Sequence, residues 1–210
     1  MNIIENDFIK KEIDELHNKF IFYSNNVFTT YDNCKSKICS WEYSLGASRD
    51  IIPFERLVPS VNNTQGRVLE KMTKSSRESK NLVAYGFNND GRIILSKRKF
   101  DKDVEKYGEN VRMVDGCFIL NAHIYESYPE KNKLLSICYS YERDSFHYYL
   151  SISPPRDWFV RIDKIINNKI IKSSMFATNW FKQIDFDFIY DDADNLTKIM
   201  IDDFTHWKSN

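Results

Sequence analysis

Apolar and polar residues alternate along most of the chain after residue 80, and the alternation is clearest in residues 134–152. On each side of a polar stretch at 142–145, every second residue is apolar, which is the spacing of a β-strand with one buried face. A helix would scatter the same residues around its circumference. A hairpin that turns at 142–145 predicts the following opposed pairs on its buried face: Tyr141 with Phe146, Tyr139 with Tyr148, Ile137 with Leu150 and Leu135 with Ile152.

Short turn sequences separate several further alternating runs, and their Asn, Asp and Gly residues tolerate the positive φ of tight hairpins. The predicted hairpins are 82–87 with 92–95 around Asn89-Asp90-Gly91, 165–166 with 170–171 around Asn167-Asn168, and 184–190 with 196–201 around 191–195. Residues 118–125 also alternate and predict a strand. Because nearly every connection is short, sequential strands are expected to be neighbours in an antiparallel meander.

The amino-terminal part of the chain has a different pattern. Residues 6–20 carry apolar side chains at helical spacing, which predicts an amphipathic helix capped by Asn6 or Asp7. Between residues 23 and 59 only 38–45 is regular, so one strand with irregular connections is expected there. The small and basic residues of 71–80 predict an exposed loop.

These elements predict one domain over residues 1–210, mainly β and of the α+β class. An amino-terminal helix packs on or beside an antiparallel β-meander sheet, and two packed sheets are the alternative arrangement. Pro154-Pro155 interrupts the meander and marks the expected corner between such sheets, since proline is confined to sheet edges and ends. It is no domain boundary, because both sides of it have the same hairpin composition.

Composition narrows the class of protein further. Apolar residues make up 42% of the 210 residues, enough for a folded core. The formal net charge is zero, so no overall field favours binding to nucleic acid or to an anionic membrane. The amino terminus lacks the basic and apolar regions of an export signal, and no run of about 18 apolar residues occurs. We therefore expect a cytoplasmic protein without a membrane span.

Sequence motifs for cofactor chemistry do not occur. The six glycines never adopt the spacing of a phosphate-binding loop, and there is no nucleophile elbow or zinc-protease helix, so no cofactor is expected. The cysteines are expected to be reduced, buried thiols, because Cys-x4-Cys spacing is looser than that of a zinc knuckle. A zinc site would require convergence of Cys34, Cys39, Cys117 and Cys138, or of the first two with His123 and His147.

His147 is the best candidate for acid–base chemistry. It lies three residues after Asp144 and beside two tyrosines. Strand alternation, however, turns it away from the apolar face and towards Ser140 across the hairpin, which favours a half-exposed histidine on a sheet surface. An enzyme with its site around His147 and Asp144 remains the alternative.

Charge is unevenly distributed along the neutral chain. Cations outnumber acids across residues 67–112, whereas the carboxyl-terminal end is acidic. Acids in turns project beyond a sheet and are either solvated, in contact with a partner protein or, less often, bound to a metal ion. The acids expected to contact a partner are Asp191, Asp192, Asp194, Asp202 and Asp203.

Two hairpins, residues 85–95 and 190–199, resemble the tyrosine–aspartate hairpins of Rhs-type toxin shells and of small immunity proteins encoded beside polymorphic toxins. Residues 66–69, followed by a lysine-rich loop and the Tyr85-Gly86-Phe87 strand, resemble the layout of such immunity proteins. Asp194 stands where a second copy of the repeat has glycine, and there is no array of copies, so the chain is not a shell.

The resemblance implies a cytoplasmic binding protein that neutralises a cognate toxin domain by occlusion and has no catalytic residues of its own. An acidic carboxyl end would suit a basic active site or nucleic-acid cleft on a toxin nuclease. The alternatives are the enzyme built around His147 and a structural, β-rich interaction protein. The gene neighbourhood separates these hypotheses, since immunity genes lie directly beside toxin genes.

Overall fold

Two helices precede the sheet in the computed structural model, which describes Ile3 and residues 6–55, 66–99, 108–155 and 157–209. Helix α1 (Asp7–Asn25) confirms the predicted amino-terminal helix, and the Asn6 side chain caps it by accepting from the Phe8 and Ile9 backbone N–H groups. Helix α2 (Val27–Ser36) lies where irregular chain was predicted. Its Thr, Asn and aromatic residues have little helical preference, but its Val27, Tyr31 and Cys34 share a face buried on the sheet.

After the two helices, the described chain consists of strands and the loops between them. It also contains the short helix α3 (Lys74–Glu78) and a 3₁₀ turn, Pro129–Lys131. The strands are β1 (Ser40–Leu45), β2 (Arg67–Val68), β3 (Leu82–Phe87), β4 (Ile93–Lys99), β5 (Gly108–Asp115), β6 (Phe118–Tyr125), β7 (Lys133–Arg143), β8 (Phe146–Ser153), β9 (Asp157–Ile166), β10 (Lys169–Ala177), β11 (Ile184–Tyr190), β12 (Leu196–Ile201) and β13 (Phe204–Lys208). The three predicted hairpins and the 118–125 strand are confirmed. Helix α3 stands within the predicted 71–80 loop, where Thr73 and Ser76 form a capping box.

These thirteen described strands form a single antiparallel sheet, which confirms the mainly β fold class. From β3 to β13 each strand pairs with the next along the chain, and β1 lies between β2 and β3 at one end. The sheet is open, with β2 and β13 as its edges. Pro154 and Pro155 lie in the turn between β8 and β9, which are hydrogen-bonded neighbours, so the predicted corner between two sheets is wrong.

The hairpin formed by β7 and β8 has a register shifted by two residues from the predicted one. Ile137 faces Ile152, Tyr139 faces Leu150 and Tyr141 faces Tyr148. The shift arises because the turn contains only Asp144 and Ser145, both with positive φ, so the strands continue to Arg143 and Phe146. A shift of two residues keeps every side chain on its predicted face.

Leu135 is an exception to the predicted pattern. The pairing of β6 with β7 shifts between Asn121 and Ala122, and this irregularity puts the side chains that precede it along β7, such as Leu134, in the other phase. Leu134, not Leu135, therefore belongs to the buried core.

The sheet has two different faces. Helices α1 and α2 cover the first face over the middle strands, where the main core contains Leu95, Met113, Leu120, Ile137 and Leu150. The second face carries residues such as Ile119, Cys138 and Tyr149, which pack against Ile52. We call residues 47–55 the strap, because they follow β1 and cross this second face.

Candidate functional site

The five carboxyl-terminal acids do not form one cluster. Asp191, Asp192 and Asp194 lie in the turn between β11 and β12, whereas Asp202 and Asp203 lie in the turn between β12 and β13. The two turns are at opposite ends of β12, which has six residues and therefore a length of about 20 Å. Each turn must be considered as a separate surface.

Two of the three carboxylates of the β11–β12 turn are bound to other groups of the fold. Asp191 Oδ1 accepts hydrogen bonds from the backbone N–H groups of Asn195, at 2.7 Å, and Ala193, at 3.0 Å. The Asn195 backbone N–H is the main reason why the pKa of Asp191 is lowered. Asp194 forms an ion pair with Lys169. Asp192 has no ion pair within the described part of the chain.

The β12–β13 turn carries acids beside exposed aromatic residues. The Phe204 side chain is 77% exposed and Phe181, in the β10–β11 loop, is fully exposed. Lys182 Nζ lies 3.8 Å from Asp202 Oδ2, so this loop and the turn are neighbours at the same end of the sheet. We call the surface formed by Phe181, Lys182, Asp202, Asp203 and Phe204 the Phe-Asp patch.

The basic stretch at 67–112 does not form a uniformly positive surface in the described residues. Arg112 Nη1 lies 2.6 Å from Glu55 Oε2, and Lys97 Nζ lies 2.9 Å from Glu109 Oε2. Five charged residues of this stretch lie outside the described residues: Asp101, Lys102, Asp103, Glu105 and Lys106.

His147 contacts Ser140 as predicted, but its acidic partner is Glu142. Its Nε2 lies 2.7 Å from Ser140 Oγ, and its Nδ1 lies 3.3 Å from Glu142 Oε1. Asp144 is exposed in the turn and instead pairs with Arg143, 3.3 Å from its Nε. The enzyme hypothesis must therefore replace Asp144 by Glu142, because the two-residue turn places Glu142 opposite His147.

Burial favours the neutral form of the His147 ring. The ring stacks on Tyr149 with 4.4 Å between ring centroids, and desolvation lowers the pKa of His147 despite the nearby carboxylates of Glu142 and Asp163. A neutral imidazole beside a serine hydroxyl is able to accept the hydroxyl proton. The order Ser140, His147, Glu142 is thus that of a nucleophile, a base and an orienting acid.

A buried ion pair lies on the same face as His147 and was not predicted. The guanidinium of Arg161 binds the carboxylate of Asp163, which faces His147 across β8 and β9. Arg161 Nη2 also donates to the Pro53 carbonyl oxygen at 2.8 Å and so holds the strap. The sequence signal for this pair is the alternation of Arg161 and Asp163 with the apolar residues Val160 and Ile162.

All four cysteines are free thiols. Cys34 and Cys138 are buried, and desolvation raises the pKa of each thiol to about 11. Cys39 and Cys117 are exposed, so the expectation that all four are buried is wrong for these two. Among the residues that the structure describes, no group of three or more His, Cys, Asp or Glu is arranged to hold a metal ion.

No family model, curated protein or solved structure matches this chain. In the described ranges, none of the helices combines the length and the apolar run that are required to cross a bilayer.

Proposed function

We propose that this chain is an immunity-type binding protein that neutralises a cognate bacterial toxin domain by occlusion, with the Phe-Asp patch in the interface. The observation that supports this proposal is the pairing of two exposed phenylalanines, Phe181 and Phe204, with the exposed carboxylates of Asp202 and Asp203. Aromatic anchors surrounded by charged residues are typical of protein–protein interfaces.

The negative charge of the Phe-Asp patch indicates a partner with a positively charged surface. Asp202 forms only a long, exposed ion pair with Lys182, at 3.8 Å. Asp203 has no ion pair with another described residue. Both carboxylates are therefore available to a basic surface. Acids of this kind increase the rate of association with a positively charged partner more than they increase affinity. A toxin domain with a basic active-site cleft has the complementary charge.

The test uses the toxin domain encoded beside this gene. We expect the two proteins to co-purify, and Asp202→Asn/Asp203→Asn to slow association about tenfold at low salt but little at high salt. Phe204→Ala is expected to increase the dissociation rate about tenfold or more. Asp90→Asn/Asp144→Asn is the matched control, because it removes two exposed turn acids elsewhere on the sheet.

Two outcomes would contradict this proposal. Absence of binding at any salt concentration would exclude the immunity function for that toxin. Equal association rates for wild type and Asp202→Asn/Asp203→Asn, together with an unchanged dissociation rate for Phe204→Ala, would remove the Phe-Asp patch from the interface.

A second candidate function is hydrolysis by nucleophilic catalysis, and the hydrogen-bonded chain from Ser140 through His147 to Glu142 favours it. In the first step the Ser140 hydroxyl would attack an ester carbonyl carbon while its proton moves to His147 Nε2. The protonated imidazole would then return that proton to the leaving alcohol, and a water molecule would release the acyl group.

A fluorophosphonate probe tests this second function directly, because it phosphonylates activated serines. An adduct on Ser140, found by mass spectrometry and lost in His147→Gln, would support the enzyme. Ser36, which is exposed on α2, serves as the control serine. If Ser140 reacts no faster than Ser36, the hydrogen-bonded chain is a feature of the sheet surface only.

A further inference from the structure

A cavity of about 450 Å³ lies between the strap and the strands β3–β6. Small-molecule sites typically have volumes of about 300–1,000 Å³, so this cavity has room for a small ligand. Polar side chains from three neighbouring strands line it: Ser96, Arg98, Asn110, Arg112 and Asn121. It lies near the end of the sheet opposite to the Phe-Asp patch and is independent of the proposed partner surface.

The strap is a fixed wall of this cavity. Tyr85 Oη accepts from the backbone N–H groups of Ser48, at 3.0 Å, and Arg49, at 3.4 Å. The Arg49 guanidinium binds both carboxylate oxygens of Glu42, at 2.9 and 2.7 Å. Together with the Arg112–Glu55 pair, these bonds tie the strap to the sheet along its length. The cavity is therefore formed before any ligand binds.

Two arginines on adjacent strands face into the cavity. Arg98 on β4 lies opposite Asn110 on β5, and Arg112 is two residues further along β5 on the same face. Diagonal neighbours of this kind are about 7–8 Å apart, within reach of long side chains. Both guanidinium groups thus border the same space, with the amide of Asn110 beside them.

Both arginines keep hydrogen-bond donors that no described residue uses. The other cations around the cavity, Arg49 and Lys97, are each paired with a glutamate. Arg112 binds Glu55 only through Nη1, and its Nε is buried without an acceptor among the described residues. Arg98 is exposed and has no ion pair in the described ranges. A buried arginine donor without an acceptor is unfavourable unless an acceptor is supplied.

We propose that this cavity binds an oxyanion group, a carboxylate or phosphate carried by a small molecule, between Arg98 and Arg112. The guanidinium fork matches the geometry of both groups, and hydrogen bonds to charged acceptors are stronger than neutral ones. Asn110, Asn121 and Ser96 provide neutral polar contacts around the anion. The acidic residues Asp50 and Glu55 also line the cavity, and Glu55 occupies Arg112 Nη1, so the anion would use Arg98 and the remaining donors of Arg112.

The experiment titrates the intact protein with inorganic phosphate and, in a separate arm, with acetate, at constant ionic strength. The side-chain amide resonances of Asn110 and Asn121 report binding by NMR. Arg98→Gln is expected to weaken the binding of the preferred anion about tenfold or more, because it removes a charged donor. Arg98 is exposed, so this variant is expected to fold normally.

Lys99→Gln is the matched control, because Lys99 is adjacent on β4 but its side chain is on the opposite face of the sheet. Binding of either anion that is weakened by Arg98→Gln and not by Lys99→Gln supports the site, and the stronger of the two arms identifies the anion. Absence of resonance shifts with both anions, or equal weakening by the two variants, would overturn the proposal.

Discussion

Arg161 and Asp163 form an ion pair with two hydrogen bonds that is almost closed to solvent. Arg161 Nε lies 2.8 Å from Asp163 Oδ1, Nη2 lies 2.7 Å from Oδ2, and the two side chains are 3% and 0% exposed. The guanidinium carbon also lies 5.4 Å from the centre of the Tyr149 ring. The pair is therefore part of the second face on which the strap and His147 lie.

Removing one member of this pair is expected to be much more costly than removing both. Asp163→Ala should lower the free energy of unfolding by about 3–5 kcal/mol, because it leaves a buried guanidinium without its counter-charge. The double variant Arg161→Met/Asp163→Leu should lose less than the single variant, since it leaves no buried charge. Urea unfolding measures both changes. A loss below about 1 kcal/mol in Asp163→Ala would mean that water reaches the pair.

The centre of the first face supplies the next prediction. Ile137 and Leu150 are completely buried in the main core. Truncation of either residue to alanine should lower the free energy of unfolding by about 2–5 kcal/mol, through lost burial and the remaining cavity. Ile166→Ala is the control, because Ile166 is 45% exposed and its loss should be below about 1 kcal/mol. Similar losses in core and control variants would place these residues outside the core.

Stability should depend on pH through His147. Desolvation lowers the pKa of His147 in the folded protein, so the unfolded state binds a proton more readily. The stability that the neutral ring contributes is fully present above its unfolded pKa of about 6.5 and is lost as pH falls towards the folded value. Glu142, Asp163 and Arg161 face the ring, and their charges also affect its pKa in the folded protein.

The measurement compares wild type and His147→Gln by urea unfolding between pH 7.5 and pH 5, an interval that spans the ordinary histidine pKa of about 6.5. Wild type should lose more stability than the variant over this interval. NMR titration of the ring should give a pKa below 6.5 in the folded protein. A folded pKa above 6.5 would show that the carboxylates outweigh burial.

Period-two alternation predicts those strands that have one face buried on a core, such as β6, β7, β8 and β11. It does not predict β2, whose two residues are exposed, nor β5 and β13. It also predicts the sides of the β7–β8 hairpin, but not its register, since the polar run at 142–145 indicates a four-residue turn. Strand pairing through Arg143 and Phe146 became possible because Asp144 and Ser145 both adopt positive φ. Local sequence does not determine which of two polar turn lengths is used.

The site features that were not predicted depend on contacts between distant parts of the chain. Arg161 is held by Asp163 on its own strand but also by Pro53, 108 residues away. Tyr85 holds the strap through backbone groups of Ser48 and Arg49, which no side-chain pattern reveals. The strap has no periodicity, because it packs through single residues, such as Ile52, and through main-chain atoms.

The acids of the β11–β12 turn are expected to separate into a structural and a solvated residue. Asp191 accepts hydrogen bonds from two backbone N–H groups of its own turn, whereas Asp192 has no hydrogen bond or ion pair with another described residue. Asp191→Ala should therefore lower the melting temperature and increase hydrogen exchange at Ala193 and Asn195. Asp192→Ala, one residue away, is the control and should change neither quantity.

The effect of Asp191 should also depend on pH, with a predictable sign. Its folded pKa is lowered, chiefly by the Asn195 backbone N–H, so its contribution is present above the unfolded pKa of about 3.9. The contribution is lost as pH falls through the folded pKa, because protonation weakens the carboxylate as an acceptor. The difference in melting temperature between Asp191→Ala and wild type should therefore shrink as the pH is lowered from 6 to 3. A difference that is independent of pH would mean that the carboxylate charge does not hold this turn.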